Sequence, residues 1–289
     1  MKILIVTAFY DLGRAKWDIS PRSKDDYIKF ATEYVKRMSP PKYILTDELG
    51  AISDGFDHKD IAGFGELEAH KYLQESRRTL SSTSFSELTK KAKVDRIEYH
   101  HAEYNIVGLA KWDAIERAFL RTSGSFTHYL WLDYGLGRRG GAAPFLPSLT
   151  QVTPRARRKI VLSAKKTERL TDIKPEELRM RVVEGRFACA GGMQLVPAEL
   201  VSKYCSLARS SYKKLLELGL CVNDQVILDV MSVTNSDMFH LATPPKYFDV
   251  FENIDRVLRG VDGPLDLTRA PLIKKIAAKA AKEDFFRRM

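Results

Sequence analysis

Apolar positions along this chain come in two kinds of segment: short unbroken runs, and longer stretches with apolar residues three or four apart. Residues 3–9, Ile-Leu-Ile-Val-Thr-Ala-Phe, form a β-branched run and predict a first strand. Tyr27, Phe30, Ala31, Tyr34, Val35 and Met38 then recur at helical spacing, which predicts an amphipathic helix over 23–38, stopped by Pro40-Pro41. Residues 43–46 predict a second strand, and strand, helix, strand in that order predicts a parallel βαβ unit. Residues 50–93 are polar and mixed, and read as a helical insertion over the sheet with short helices near 65–76 and 84–92. A further strand is expected over 94–99.

Asn105 is a candidate helix N-cap. Beyond it Val107, Ala110, Ala114, Ile115, Ala118 and Phe119 mark an apolar helical stripe that contains Lys111. The run Tyr129-Leu130-Trp131-Leu132 then leads straight into Asp133-Tyr134-Gly135, as in a strand buried on both faces and closed by a turn. Ligands of open α/β sheets bind beyond the carboxyl ends of such strands, where loops and helix N-termini converge. Asp133 sits at that edge, to bind a cation or polar ligand or to cap the turn. A strand is expected over 159–163 and a charged helical segment over 168–181. Pro197 suits the first turn of a helix running to Leu218, with Gly219 as its C-cap. Asn223-Asp224-Gln225 opens another helix with apolar positions Val226, Ile227, Val230 and Met231, and residues 238–241 form a last short strand carrying His240. The predicted fold class is therefore α/β: one domain over 1–260, a mostly parallel central sheet flanked by helices, and a distinct tail over 261–289.

Composition narrows the class. The 289 residues are 44% apolar and 29% charged, as in an ordinary globular protein with a sizeable core. Cys189, Cys205 and Cys221 lie in apolar surroundings without metal-ligand spacing, and read as small core residues in a reducing compartment. The apolar start meets Asp11 at once and lacks a cleavage site, so it reads as a strand and not as a signal peptide. The expected location is cytoplasmic. A net charge of +10 favours acidic partners. Nucleic acid is not among those expected, because no recognition helix, zinc finger or RNA-binding aromatic signature accompanies the charge. In the tail, Ile273, Ile276, Ala277 and Ala280 oppose Lys275, Lys279 and Lys282, with Phe285 and Phe286 alongside. Residues 271–289 thus read either as a basic amphipathic anchor on an anionic membrane surface or as a helix docked on the protein's own core.

Several residues carry candidate chemistry. Lys111 would either snorkel from its apolar stripe or reach a phosphate from it. The loop with Gly135, Gly137, Arg138, Arg139, Gly140 and Gly141 has neither Walker A order nor a dinucleotide fingerprint, and reads as a basic loop. Ala190-Gly191-Gly192 would let backbone approach a ligand, or mark a bulge at a strand entrance. Asp224 would satisfy first-turn N–H groups, or present a carboxylate at a helix start. Adjacent His100 and His101, with Glu103, read as solvated or ligand-facing and not as a closed zinc site.

The pieces Val6-Thr7-Ala8-Phe9-Tyr10-Asp11-Leu12-Gly13-Arg14, Arg22-Ser23, Tyr104-Asn105-Ile106-Val107 with Lys111, and Trp131-Leu132-Asp133-Tyr134-Gly135 resemble the bacterial HtrL/YibB family. Ala190-Gly191-Gly192 and Asn223-Asp224-Gln225-Val226-Ile227-Leu228 follow the same pattern in order. The resemblance spans most of residues 1–241 and leaves the tail outside. That family looks like glycosyltransferases of the GT-A type, associated with cell-surface polysaccharide or lipopolysaccharide loci.

The resemblance implies a nucleotide-sugar donor and a glycan or glycolipid acceptor, and the basic tail would place the reaction at the inner membrane face. The resemblance assigns Thr7, Ala8, Phe9, Asp11, Arg14, Arg22, Asn105, Lys111, Asp133 and Gly135 to the donor nucleotide. Gly191, Gly192, Asn223, Asp224 and Gln225 fall to the donor sugar or acceptor. Asp224 resembles the acceptor-side carboxylate, a general base if the reaction inverts and a positioning group if it retains. The D-x-D motif of GT-A enzymes holds Mg²⁺ or Mn²⁺ against the donor diphosphate. That makes Asp133 a metal ligand, with His240 in the place of a late histidine. Here glycine stands where the second acid would be, which opens the charge-handling role to Lys111, Arg138 or Arg139. The alternatives are a nucleotidyltransferase or sugar-nucleotide hydrolase on a similar sheet, and a non-catalytic nucleotide- or sugar-binding protein.

Overall fold

The structure is a computed structural model that describes residues 2–33, 35–93, 95–123, 125–136, 158–164, 175–185 and 187–242. Its centre is one seven-stranded sheet of β1 (Ile3–Phe9), β2 (Lys42–Thr46), β3 (His58–Ile61), β4 (His128–Leu132), β5 (Ile160–Ala164), β6 (Cys189–Pro197) and β7 (Phe239–Ala242). They lie in the order β3-β2-β1-β4-β6-β5-β7. Neighbours pair in parallel except around β6, which runs antiparallel to both β4 and β5. β2, β4 and β5 are buried at every residue and β1 at all but Ala8. This is why they read as unbroken apolar runs and not as alternating ones.

Side chains of successive strand residues point to opposite faces, so each strand feeds two cores. Leu4, Val6, Tyr43, Leu45, Tyr129, Trp131 and Leu162 pack on one face against α4 (Ala102–Arg121), α6 (Val201–Glu217) and α7 (Asp224–Thr234). Ile3, Ile5, Phe9, Ile44, Leu130, Leu132 and Val161 pack on the other, where α1 (Lys24–Glu33) contributes Ala31. α1 ends earlier than its apolar stripe suggests, passing into a 3-10 turn over Val35–Arg37 that still buries Val35. α6 ends as its sequence predicts. Gly219 adopts a left-handed φ of 72°, and its N–H and that of Leu220 close back on Leu216 and Leu215. Pro197, however, is the last residue of β6, and the helix after it opens with a 3-10 turn.

Other expectations need correction. Segment 50–93 is not wholly helical: it carries β3 before a pair of 3-10 turns, α2 (Leu73–Leu80) and α3 (Thr83–Ala92). β3 is four residues long with three of them exposed, so it lacks the apolar run and the alternation that announce a strand. Residues 97–99 form a 3-10 turn in place of the expected strand. α4 begins at Ala102 with His101 at its N-cap, which places Asn105 inside the helix. The Asn105 amide donates to the Glu98 carbonyl at 2.7 Å, a buried bond that no local pattern signals. Of the helical segment expected over 168–181, α5 (Pro175–Glu184) covers the described part. The loop at 137–141 with Arg138 and Arg139, and the tail over 261–289, lie outside the described residues.

β3 is held by a charge cluster. Buried Asp60 accepts from the Tyr43 hydroxyl at 2.7 Å and from both forks of Arg121 at 2.8 and 2.7 Å, with Arg117 at 3.7 Å. Asp60→Ala strands a fully buried tyrosine hydroxyl and unpairs two partly exposed arginines. It is expected to lower stability by about 3 kcal/mol, read as a lower urea midpoint at unchanged slope.

Candidate functional site

From β1 the chain lays β2 and β3 to one side, then crosses back to place β4 on the other. The carboxyl ends of β1 and β4 therefore lie side by side where strand order reverses, the position at which an open parallel sheet leaves a crevice. A cleft opens there. Ala8, Phe9 and Tyr10 line it from the end of β1, and Asp133, Tyr134, Gly135 and Leu136 from the end of β4. α4 presents Tyr104, Val107, Gly108 and Lys111 to it, a stripe at three- and four-residue spacing. Asn223 and Asp224 reach in from the start of α7.

Lys111 is the hub of this cleft. Its side chain is only 3% exposed, yet its ammonium ion-pairs with Asp224, lies 3.7 Å from Asp133 Oδ1 and donates to the Gly191 carbonyl at 2.9 Å. The rings of Trp131 and Trp112 sit 5.4 and 5.9 Å from the same nitrogen, close enough to favour a cation. Burial works against the charge, but the Asp224 and Asp133 carboxylates outweigh it and hold the Lys111 pKa above the ordinary lysine value. Lys111 therefore stays protonated, and neither snorkels nor reaches open solvent.

The two carboxylates differ in exposure, 45% for Asp133 and 17% for Asp224. Asp133 is oriented by the Trp131 indole N–H at 2.8 Å, and its own N–H donates to the Gly192 carbonyl at 3.0 Å, fastening β4 to β6. Asp224 is the first residue of α7, but Asn223 is the cap: its side-chain oxygen accepts from the N–H groups of Gln225 and Val226. Capping is thus done by the neighbour, and the Asp224 carboxylate turns to Lys111.

The opposite wall is basic and aromatic. Buried Arg14 donates to the Tyr27 hydroxyl at 2.7 Å and the Ser20 carbonyl at 2.9 Å, and lies over the Tyr104 ring at 5.2 Å. Arg22 stands beside it. Phe9 packs edge-on against Tyr27 and tilted against Tyr134, with centroids 5.4 and 5.1 Å apart. Gly135 leaves room for this wall, since a Cβ there would fall 2.9 Å from Tyr27 Cε1.

Of the residues singled out from sequence, the cleft brings together Ala8, Phe9, Arg14, Arg22, Asn105, Lys111, Asp133, Gly135, Asn223 and Asp224. Gly191 joins through its carbonyl on Lys111, and Gly192 through its bond to Asp133. The remainder lie elsewhere. Thr7 is fully buried within β1, Asp11 turns its own loop by accepting from the Gly13 N–H, and Gln225 serves the α7 start. Tyr27, Tyr104 and Trp131 line the cleft without having been assigned to a site from the sequence. The signal for Trp131 was available: it lies two residues before Asp133, hence on the same face of an extended strand.

His240 does not accompany Asp133. It aligns with Val161, Leu195 and Leu130 across three strand spacings, which puts its backbone roughly 14 Å from β4. Its row also belongs to the face that packs toward α1, not the face of Trp131. The end of a strand fixes position along the chain but not which strand is adjacent, and β6 and β5 intervene. The donor set for a divalent cation is correspondingly thin. Among the described residues no three His, Cys, Asp or Glu side chains gather to hold a metal. The two acids that do converge already have an ammonium between them. Hard dications want several oxygen ligands and no neighbouring cation, so these residues as arranged do not fit one. His100, His101 and Glu103 disperse in the same way, to Asp95, to a stack on Trp17 with centroids 3.8 Å apart, and to Arg77. No described helix is long and apolar enough to cross a membrane.

No curated protein matches the chain. Among solved structures, the apo crystal structure of mouse xyloside xylosyltransferase 1 aligns over 89% of this chain and 93% of that one, at 8% identity and a TM-score of 0.38. A family model described as "bacterial protein of unknown function (HtrL_YibB)" matches residues 62–256. That is more than half of the sequence, and the chain belongs to the HtrL_YibB family.

Proposed function

We propose that this chain is a glycosyltransferase that moves a sugar from a nucleoside diphosphate donor to a hydroxyl of a glycan or glycolipid acceptor. The observation that carries the reading is the composition of the cleft at the strand reversal: an aromatic and arginine wall on one side, two carboxylates bridged by a buried lysine on the other. Phe9, Tyr27 and Tyr134 offer apolar surface for a base, and Arg14 and Arg22 offer charge for a diphosphate. Asp133 and Asp224 stand where a sugar carried on that diphosphate would project. A simple binding site for an anion would not gather two acids at its floor.

In the proposed reaction the acceptor oxygen forms a bond to the anomeric carbon while the bond from that carbon to the phosphate oxygen breaks. The diphosphate leaves with the electron pair, and the hydroxyl proton passes to a carboxylate. Asp224 takes that proton in this reading, held in place by Lys111 and by the helix start it occupies. Asp133, the more exposed acid, hydrogen-bonds the sugar. No step is assigned to a metal ion.

Thermal-shift measurements with uridine, guanosine, adenosine and cytidine diphosphates test the reading. One of them at 100-fold excess over its Kd is expected to stabilise the protein by about 2.7 kcal/mol, a rise of roughly 5–10 °C in Tm. Arg22→Ala should weaken that nucleotide about tenfold by removing one charge-assisted contact. Product analysis should then find free diphosphate with glycosylated acceptor. Monophosphate or pyrophosphate would point to the hydrolase or nucleotidyltransferase instead, and binding without any product to the non-catalytic alternative.

A further inference from the structure

We infer that Lys111 is a tethered counter-cation that takes the place of a divalent metal in this cleft, so that donor binding and transfer proceed without one. The inference rests on the glycosyltransfer reading and specifies how that site handles charge. Two carboxylates facing one cleft repel each other and repel a diphosphate unless a cation lies between them. Either a diffusible dication or a side chain can fill that place. Here Lys111 fills it, against Asp224, 3.7 Å from Asp133 and bonded to the Gly191 carbonyl at 2.9 Å.

Three features make this cation fixed and not incidental. It comes from the buried middle of α4 and is 3% exposed, so it cannot swing aside into water. Backbone packs against the pair so closely that a Cβ at Gly191 would collide with the Asp224 carboxylate and lie 3.2 Å from Lys111 Nζ. Finally, the chain has Gly135 two residues after Asp133, so the strand end supplies one acid and not two. An ammonium already paired to both acids repels a dication approaching either of them. Removing it would leave two converging carboxylates with unbalanced charge, which is what a dication site requires.

Lys111 is in this sense a positioning residue, and its replacement should create a metal site where none stands. The test uses the full chain and Mn²⁺ alone as probe, followed by the spin-resonance signal of free aqueous Mn²⁺. Wild type and Lys111→Arg are expected to leave the signal unchanged up to millimolar protein. Lys111→Gln should bind one Mn²⁺ roughly tenfold or more tighter than wild type, and lose it again when Asp133→Asn is added. In parallel, the Tm shift given by the best nucleoside diphosphate should be the same in EDTA as in Mn²⁺. Sub-millimolar Mn²⁺ binding by wild type that disappears in Asp133→Asn would overturn the inference. So would a nucleotide shift that EDTA abolishes and Mn²⁺ restores, while leaving glycosyltransfer standing. If no diphosphate shifts the protein in either condition, glycosyltransfer falls, and the Mn²⁺ titration alone decides whether Lys111 excludes a metal. Should Lys111→Gln not melt cooperatively, the wild-type titration and the EDTA comparison carry the decision.

Discussion

Asp224→Asn is expected to lower the rate of sugar transfer by about 10²- to 10⁴-fold, the usual contribution of a positioned general base, while nucleotide binding changes little. Asparagine is close to isosteric and keeps an oxygen to accept from Lys111, so the cleft retains its shape. The helix start is insulated as well, because its N–H groups are served by Asn223 and not by Asp224. What the substitution removes is one negative charge and the capacity to take a proton. The buried Lys111 then keeps only Asp133 as an ionic partner, at 3.7 Å. Breaking a buried ion pair outright costs about 3–5 kcal/mol, and the surviving hydrogen bond should hold the loss well below that. The measurement is a pair of numbers on one preparation: the turnover rate, and the Tm shift given by the donor diphosphate. A large fall in the first with the second preserved supports the role of base. Unchanged turnover would pass the proton to Asp133, and loss of both would make Asp224 a structural partner of Lys111.

Much of this cleft was legible because its parts are local. Fully buried strands read as apolar runs, and the first polar residue after such a run, Asp133, marks the sheet edge where ligands gather. Asn223-Asp224-Gln225 reads as a helix start for the same local reason, although the residue that caps it is Asn223 and not Asp224. Features set by distant neighbours did not read. β3 is an edge strand whose charged residues are rational only once Asp60 is seen against Arg121 and Tyr43. Asn105 resembled a cap and instead bonds the Glu98 carbonyl. His240 follows the right kind of strand but stands on the wrong face and three strands away. Lys111 shows both sides: its place in an apolar stripe flagged it, while its partners, Asp133, Gly191 and Asp224, are scattered along the chain and meet only in the fold.

The paired glycines carry the second large expected effect. They were candidates for close approach of backbone to a ligand, yet at Gly191 the group that comes close is the protein's own Asp224 carboxylate. Gly191 lies within β6, where the backbone is extended and any residue is conformationally tolerated, so the demand for glycine is one of space. Gly191→Ala must push aside either the Asp224 carboxylate or the Lys111 ammonium, and each is held by the other. Overpacking of this kind costs about 1–3 kcal/mol. The larger consequence is expected in the rate, where a displacement of about 1 Å in a reacting group lowers turnover on the order of 10²-fold. Gly192→Ala is the internal control. Its Cβ would meet the end of the Leu136 side chain at 3.0 Å and Asp133 Oδ2 at 3.5 Å, and the leucine can rotate away. The control should therefore stay within a few-fold of wild-type activity. If Gly191→Ala turns over as fast as wild type, the geometry of the lysine and its two acids does not govern the reaction. If both variants fail alike, the strand and not the carboxylate is what the glycines protect.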